Sequence, residues 1–316
     1  MAVVSNQQQG NQRDRKGFLG RLWPRTPASI AGTAAPVLPM ISGYTKLIAH
    51  IGYPTGSFKA PMIYNPYFGK HGIDAVVVPM GCKSEDFAGF LRLVFKLSNI
   101  HGALVTMPHK VVTVGLLDEA STTVKVAGAC NAVKLGANGA LLGDMFDGEG
   151  FVRGVRRKGR SLAGAKVLVV GAGGVGSAIA ASLAKAGVAT LAVYDAHAPM
   201  MDGLADRLRK NYPNLEIKVG SRDPAGFDVV VNATPLGMKD GDPLPMDVAR
   251  IAPSTFVGEV VMKAEITPFL AAARARGCTY QIGTDMLYEQ IPAYLEFFDL
   301  GTTTAEELRT VANIKY

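Results

Sequence analysis

Residues 165–176 read Ala165-Lys166-Val167-Leu168-Val169-Val170-Gly171-Ala172-Gly173-Gly174-Val175-Gly176, and an alanine-rich stretch over 177–186 follows. The apolar run 167–170 has strand length and no polar alternation, so it reads as a central strand covered on both faces. It stops at glycines in GxGxxG spacing, Gly171, Gly173 and Gly176, directly ahead of the helical stretch. In that context Gly171 permits a tight turn, Gly173 lets backbone approach a pyrophosphate, and Gly176 lets helix pack on strand. Gly174 and Val175 open a helix whose N-terminus faces the phosphates. A glycine turn that serves close packing alone has the same spacing. Asp195 argues for a ligand. It ends the next apolar run, 190–194, 24 positions past Gly171 (195 − 171), where a carboxylate accepts hydrogen bonds from the ribose hydroxyls of a dinucleotide. Its charge repels a 2′-phosphate, Ala196 follows it, and the next arginine is Arg207, so NAD is expected and NADP disfavoured. Asp195 as a simple turn cap is the plain alternative.

Working outward, 228–231, 255–260 and 279–282 are further strand-like runs, with helical patterns between most of them. The expectation is an α/β protein with a doubly wound parallel sheet of the Rossmann type. Upstream, the runs 47–51, 75–78 and 103–106 also alternate with helical patterns, which predicts parallel strands in a second, smaller α/β unit. Past Gly283, the apolar spacing of Met286, Leu287, Ile291 and Leu295 predicts helix returning to the first unit. The expected organisation is a substrate-binding catalytic domain from 40–149 plus 284–316, a nucleotide-binding domain over 150–283, and a cleft between them. Residues 1–39, rich in Gln, Asn, Arg, Pro and Ala without periodicity, read as a disordered tail or a misassigned start.

The 316 residues are 48% hydrophobic and 19% charged, a globular composition. Of the formal charge of +7, residues 1–39 hold a net +4, from Arg13, Arg15, Lys16, Arg21 and Arg25 against Asp14. The body has no basic stripe interleaved with aromatics, so nucleic acid is not an expected partner. Cys82, Cys130 and Cys278 are widely spaced, which suggests neither a disulfide framework nor a zinc site and fits the cytoplasm. No apolar run of about 18 residues calls for a membrane, and no ligand cluster calls for a metal.

Two stretches carry the chemistry. Val105-Thr106-Met107-Pro108-His109-Lys110 follows an apolar strand, and Gly143-Asp144-Met145-Phe146-Asp147-Gly148 precedes the glycine-turn unit. With Gly128-Ala129-Cys130-Asn131, Asn232-Ala233-Thr234-Pro235-Leu236-Gly237-Met238 and Gly283 through Gln290, they resemble the shikimate/quinate dehydrogenase family. The likeness runs from about Ile41 to Gln290. The resemblance implies that Lys110 exchanges the proton of a substrate alcohol and that Asp147 shares the hydroxyl and fixes the ammonium. It also implies that Thr106, Asn131 and Gln290 bind substrate, and that Thr234, Pro235, Gly237, Met238 and Gly283 lie along the nicotinamide side. A dehydrogenase needs such a pair, because hydride loss from a carbinol builds a carbonyl only as the hydroxyl proton departs.

The chain departs from the family where the substrate carboxylate is held. Phe58 and Ala60 stand in place of a Ser-x-Ser pair, Leu104 in place of an Asn, Met145 and Phe146 in place of Asn-Thr, and Met262 in place of a Tyr. Each lost hydrogen bond to a carboxylate removes about 1.5 to 3 kcal/mol, so the expected substrate is a cyclic hydroxy compound other than shikimate. Two other readings fit: an orthodox shikimate or quinate dehydrogenase, and a non-catalytic metabolite or nucleotide sensor. The expected assembly is a monomer or homodimer.

Overall fold

The computed structural model describes residues 40–314, so the expectations for 1–39 lie outside the described residues. From Lys46 the chain forms β1 (Lys46–Gly52), α1 (Pro61–His71), β2 (Ala75–Gly81), α2 (Ser84–Val94), β3 (Ile100–Val105) and α3 (Lys110–Val114). It continues through β4 (Glu119–Ala120), α4 (Thr122–Ala127), β5 (Ala132–Leu135), β6 (Leu141–Asp144) and α5 (Asp147–Arg157). The strands make one sheet in the order β2-β1-β3-β5-β6-β4. Apart from His50, the buried residues of β1 are apolar on both faces because both are covered. Ala49 and Ile51 pack with Phe87 and Leu91 of α2, while Ile48, on the opposite face, packs with Ile63, Tyr64 and Phe68 of α1. The edge strand β2 is closed off by Asn65, whose amide donates to the Val77 carbonyl at 3.0 Å and accepts from the Val77 N–H at 2.8 Å.

β1 pairs in parallel with β2 and β3, as the alternation predicts, but β5 runs antiparallel to both β3 and β6. The runs 47–51, 75–78 and 103–106 are thus parallel as expected, while β5, outside them, adds antiparallel pairs and β4 is again parallel to β6. The loop 136–140 is a tight hairpin, closed by Gly136 N–H on the Ala140 carbonyl at 2.8 Å with Gly139 at φ 77°. Its strands are four residues each, too short to show a period.

The second sheet follows from β7 (Lys166–Val170), α6 (Gly174–Lys185), β8 (Thr190–Tyr194), α7 (Ala198–Asn211), β9 (Glu216–Val219), β10 (Val229–Asn232), β11 (Phe256–Glu259), α8 (Pro268–Ala275) and β12 (Tyr280–Gln281). Its order is β12-β11-β10-β7-β8-β9, parallel throughout, so β7 and β10 flank the switch point of a Rossmann sheet. Val167 and Val169 face a core with Ile179 and Leu183, and Leu168 and Val170 face one with Phe269 and Leu270. Each such burial contributes about 1.5 to 3 kcal/mol, which is why this strand carries no polar alternation.

α9 (Gly283–Phe297) then returns, and α10 (Ala305–Val311) follows it. Met286 of α9 joins the core of the second sheet, whereas Ile291 and Leu295 join that of the first. Arg153 of α5 forks onto Glu296 of α9 at 3.1 and 2.7 Å, tying together the two helices that span both sheets. α5 also lies close on α6: a Cβ at Gly148 would sit 2.0 Å from the Ala178 carbonyl oxygen. Among the described residues no helix is long and apolar enough to cross a membrane.

Candidate active site

Lys110 starts α3 directly after β3, and its backbone carbonyl accepts from Cys130 N–H at 2.8 Å. The turn before it is pinned by His109, buried and stacked on Phe87 at 4.0 Å, with Nε2 at 2.8 Å from the Cys82 carbonyl. Asp147 starts α5, where the positive end of the helix favours a carboxylate. Lys110 Nζ donates to Asp147 Oδ2 at 2.6 Å. Asn131 Nδ2 donates to Asp147 Oδ1 at 2.9 Å, and Asn131 Oδ1 accepts from Phe146 N–H at 2.9 Å. The β5/β6 hairpin creates this arrangement, since the Asn131 N–H is bonded to the Asp144 carbonyl just ahead of Asp147. Asn131 thus orients Asp147, is buried, and is not among the residues lining the cavity described next.

That cavity, of about 230 Å³, is lined by Lys110 and Asp147 together with Phe58, Ala60, Thr106, Met262 and Gln290 of the sequence expectation. Phe146 is not in the lining; its ring packs edge-on against Tyr294 and Phe297. Lys59, which the sequence offers as a partner for an acidic substrate, also lines it, and so do His50 and Tyr64, which sequence reasoning missed. His50 stacks on Phe58 at 4.1 Å, and burial, helped by the charge of Lys110, lowers its pKa to about 4, so it is neutral at pH 7. The available signal was one histidine inside the apolar run of β1. Buried histidines in strands are common enough that the run alone does not single it out.

A cleft of about 1020 Å³ opens beside the glycine turn and is lined by Gly171, Gly173, Gly174, Val175, Asp195, Thr234, Pro235 and Met238. Met262 borders both spaces, and Thr106 and Met107 border one each, so the two adjoin. The turn fits a dinucleotide. Gly171 has φ 111°, and a Cβ there would meet the Ala233 carbonyl oxygen at 2.6 Å, whereas a Cβ at Gly173 or Gly174 would meet open space. Gly176 is packed inside, where a Cβ would be 2.0 Å from the Gly171 carbonyl oxygen. Gly237, at φ 101°, shapes the neighbouring loop, and Gly283 opens α9 where a Cβ would be 2.2 Å from the Val261 carbonyl oxygen; neither lines the cleft. The loop after β10 is braced by Asn232, whose Oδ1 accepts from Thr234 N–H and Oγ1–H at 3.1 and 2.6 Å.

Asp195 lines the cleft and also braces the turn. Its Oδ2 accepts from Ala172 N–H at 2.7 Å and its Oδ1 from His197 N–H at 2.8 Å. Both the ligand and the turn-cap readings therefore describe its position. Arg207 is spent elsewhere, on the Val126 carbonyl at 2.7 Å. Arg222, beyond β9, lines the same cleft as Asp195 with its guanidinium 5.8 Å from the Tyr194 ring centroid. The linear sequence hides that cation, because β9 is exposed and reads as surface.

A Lys/Asp ion pair in a cavity that adjoins a Rossmann switch-point cleft is the layout of an oxidoreductase that works with a pyridine nucleotide. Residues 50–133 match the shikimate dehydrogenase substrate binding domain, and residues 152–198, around the glycine turn, match the ThiF family. The chain is 34% identical over 278 residues to shikimate dehydrogenase (NADP(+)) of Acidiphilium cryptum, covering 86% of this chain and 98% of that protein. It therefore belongs to the shikimate/quinate dehydrogenase family. Quinate dehydrogenase from Corynebacterium glutamicum, solved in complex with NAD, is 29% identical with a TM-score of 0.75, over 84% of this chain and 98% of that one. Ligand-free 5-ketofructose reductase of Gluconobacter sp. strain CHM43 is 25% identical with a TM-score of 0.78, over 86% and 99%.

Proposed function

We propose that this chain is an NAD-preferring dehydrogenase interconverting alcohol and ketone on a cyclic hydroxy compound other than shikimate. The observation that carries this reading is the Lys110–Asp147 pair at 2.6 Å in a cavity adjoining the glycine-turn cleft. When bound, the nicotinamide supplies the hydride acceptor or donor. The chain's own part is the proton. The substrate hydroxyl gives its proton to the pair as hydride leaves the carbinol carbon; in the reverse direction the pair returns it to the ketone oxygen. Asn131 keeps Asp147 Oδ1 in register during both. Gly173 and Gly174 would take the pyrophosphate, and Asp195 the ribose hydroxyls, with Thr234, Pro235 and Met238 beside the nicotinamide. In this reading 40–149 plus 284–316 form the substrate domain and 150–283 the nucleotide domain.

Asp195 supports NAD, and the NAD-bound quinate dehydrogenase agrees, while the Acidiphilium relative carries NADP(+) in its name. Phe58 and Ala60 in the lining support a substrate other than shikimate. An orthodox shikimate or quinate dehydrogenase is the second reading, favoured by Lys59 in the lining and by the relatives' names. The buried thiols of Cys82, Cys130 and Cys278 are free, which supports a reducing, cytoplasmic setting.

The test is a panel of hydroxylated cyclic acids and alcohols followed by NAD(P)H absorbance. We expect NAD-linked turnover with kcat/KM for shikimate at least about tenfold below the best substrate. Lys110→Met should lose about 10² to 10⁴ in kcat while nucleotide affinity stays unchanged. Efficient NAD-linked turnover of shikimate would sink the substrate claim, and full activity in Lys110→Met the proton role.

A further inference from the structure

We infer that the substrate presents uncharged hydroxyl or carbonyl groups to His50 and Tyr64, which select a small polyhydroxylated ring lacking a carboxylate. The inference rests on the dehydrogenase reading and deepens it. Among the described residues, His50 Nδ1, Tyr64 Oη and Gln290 Oε1 are buried polar atoms without a hydrogen-bond partner. All three residues line the one cavity that holds Lys110 and Asp147. His50 is 7% and Tyr64 2% exposed. Buried polar atoms in folded proteins are almost always paired, so three unpaired ones on residues that line one cavity point to a ligand that pairs them.

The chemistry of the three decides what that ligand is. A carboxamide oxygen only accepts, so Gln290 Oε1 needs a donor, which a hydroxyl has and a carboxylate lacks. A phenol and a neutral imidazole both donate and accept, and they suit hydroxyl or carbonyl oxygens. The ring face of His50 is taken by Phe58, which leaves the ring edge for bonding. Lys110 is already paired with Asp147 at 2.6 Å, and burial keeps His50 uncharged at neutral pH. A carboxylate placed against Gln290 Oε1 would meet an acceptor and leave it unpaired. Half-buried Lys59 is the lining group that a carboxylate would seek instead, so it enters the test.

The experiment compares shikimate and quinate with their methyl esters and with myo-inositol, using NAD and NADP, in the wild type, Tyr64→Phe, His50→Phe, His50→Asn and Lys59→Met. We expect an uncharged compound to exceed the best acid by at least about tenfold in kcat/KM. Tyr64→Phe and His50→Phe should each raise its KM about three- to tenfold with kcat nearly constant, the loss expected for one neutral hydrogen bond. His50→Asn, with an amide near the Nδ1 position, should recover part of that loss. A preference for the acids that disappears in Lys59→Met overturns the inference and leaves the dehydrogenase reading standing. An ester or polyol preference unmoved in Tyr64→Phe and His50→Phe removes these residues from recognition. No turnover of any acid, ester or polyol with either nucleotide defeats the dehydrogenase reading, and the inference with it.

Discussion

Acid should destabilise this protein through His50, and the size of the effect follows from its surroundings. The side chain sits in β1 between Phe58 and the cavity, with Tyr64, Lys110 and Asp147 around the same space and Lys110 the nearby cation that opposes protonation. Its pKa falls from 6.5 to about 4 on folding. Below pH 6.5 the unfolded chain takes up a proton that the folded chain refuses, so stability rises with pH across this window and is lost as pH falls. Linkage with these two values gives a loss of about 1.3 kcal/mol between pH 7.5 and 5.5 and about 2.5 kcal/mol by pH 4.5. For a chain of this size 1 kcal/mol shifts Tm by about 3 °C, so the step to pH 5.5 corresponds to about 4 °C. Carboxylates titrate in the same range, so the readout is the difference between wild type and His50→Phe, which keeps a ring against Phe58. Thermal unfolding at pH 7.5, 5.5 and 4.5 should show the two curves diverging, with the wild type losing more. Parallel curves would refute the reasoning, because they would mean that His50 binds its proton equally in both states.

Gly148→Ala places a methyl against the Ala178 carbonyl where α5 meets α6, and should cost about 1 to 3 kcal/mol, seen as a Tm lowered by about 3 to 9 °C. An unchanged Tm would mean that the helices separate freely. Cofactor choice should respond to Asp195→Ser combined with Ala196→Arg, which removes the anion and adds a second cation beside Arg222. We expect the NADP to NAD ratio of kcat/KM to rise at least about tenfold. A ratio that stays put would place the determinant elsewhere in the cleft.

Local pattern alone specified a large share of this protein. The run 167–170 ending at Gly171, with Ala-rich helix beyond, has one low-energy solution, a buried parallel strand turning tightly into a helix, and the structure has it. The strands at β1, β2, β3, β8, β10 and β11 were legible for the same reason: each lies under covering helices, so burial on both faces forces an uninterrupted apolar run. β5, β6 and β9 were not, because two form a short hairpin and one is exposed, and neither situation imposes such a run. The hairpin matters most. It is the antiparallel pairing of β5 with β6 that brings Asn131 onto Asp147, whereas the sequence marks Asn131 only as a substrate-binding candidate.

Side-chain convergence was the part that only tertiary structure decided. Lys110 and Asp147 stand on separate helices, yet their charges meet at 2.6 Å, and His50, Tyr64 and Gln290 come from a strand and two helices to one cavity. Asp195 and Arg222 come from different strand ends to one cleft. Periodicity records which face of its own element a residue occupies, and the distance between elements is set by how their faces pack. The fold was therefore readable from local burial, whereas the polar atoms left unpaired beside the Lys/Asp pair, which carry the argument about substrate, exist only once α1, α9 and β1 have closed around them.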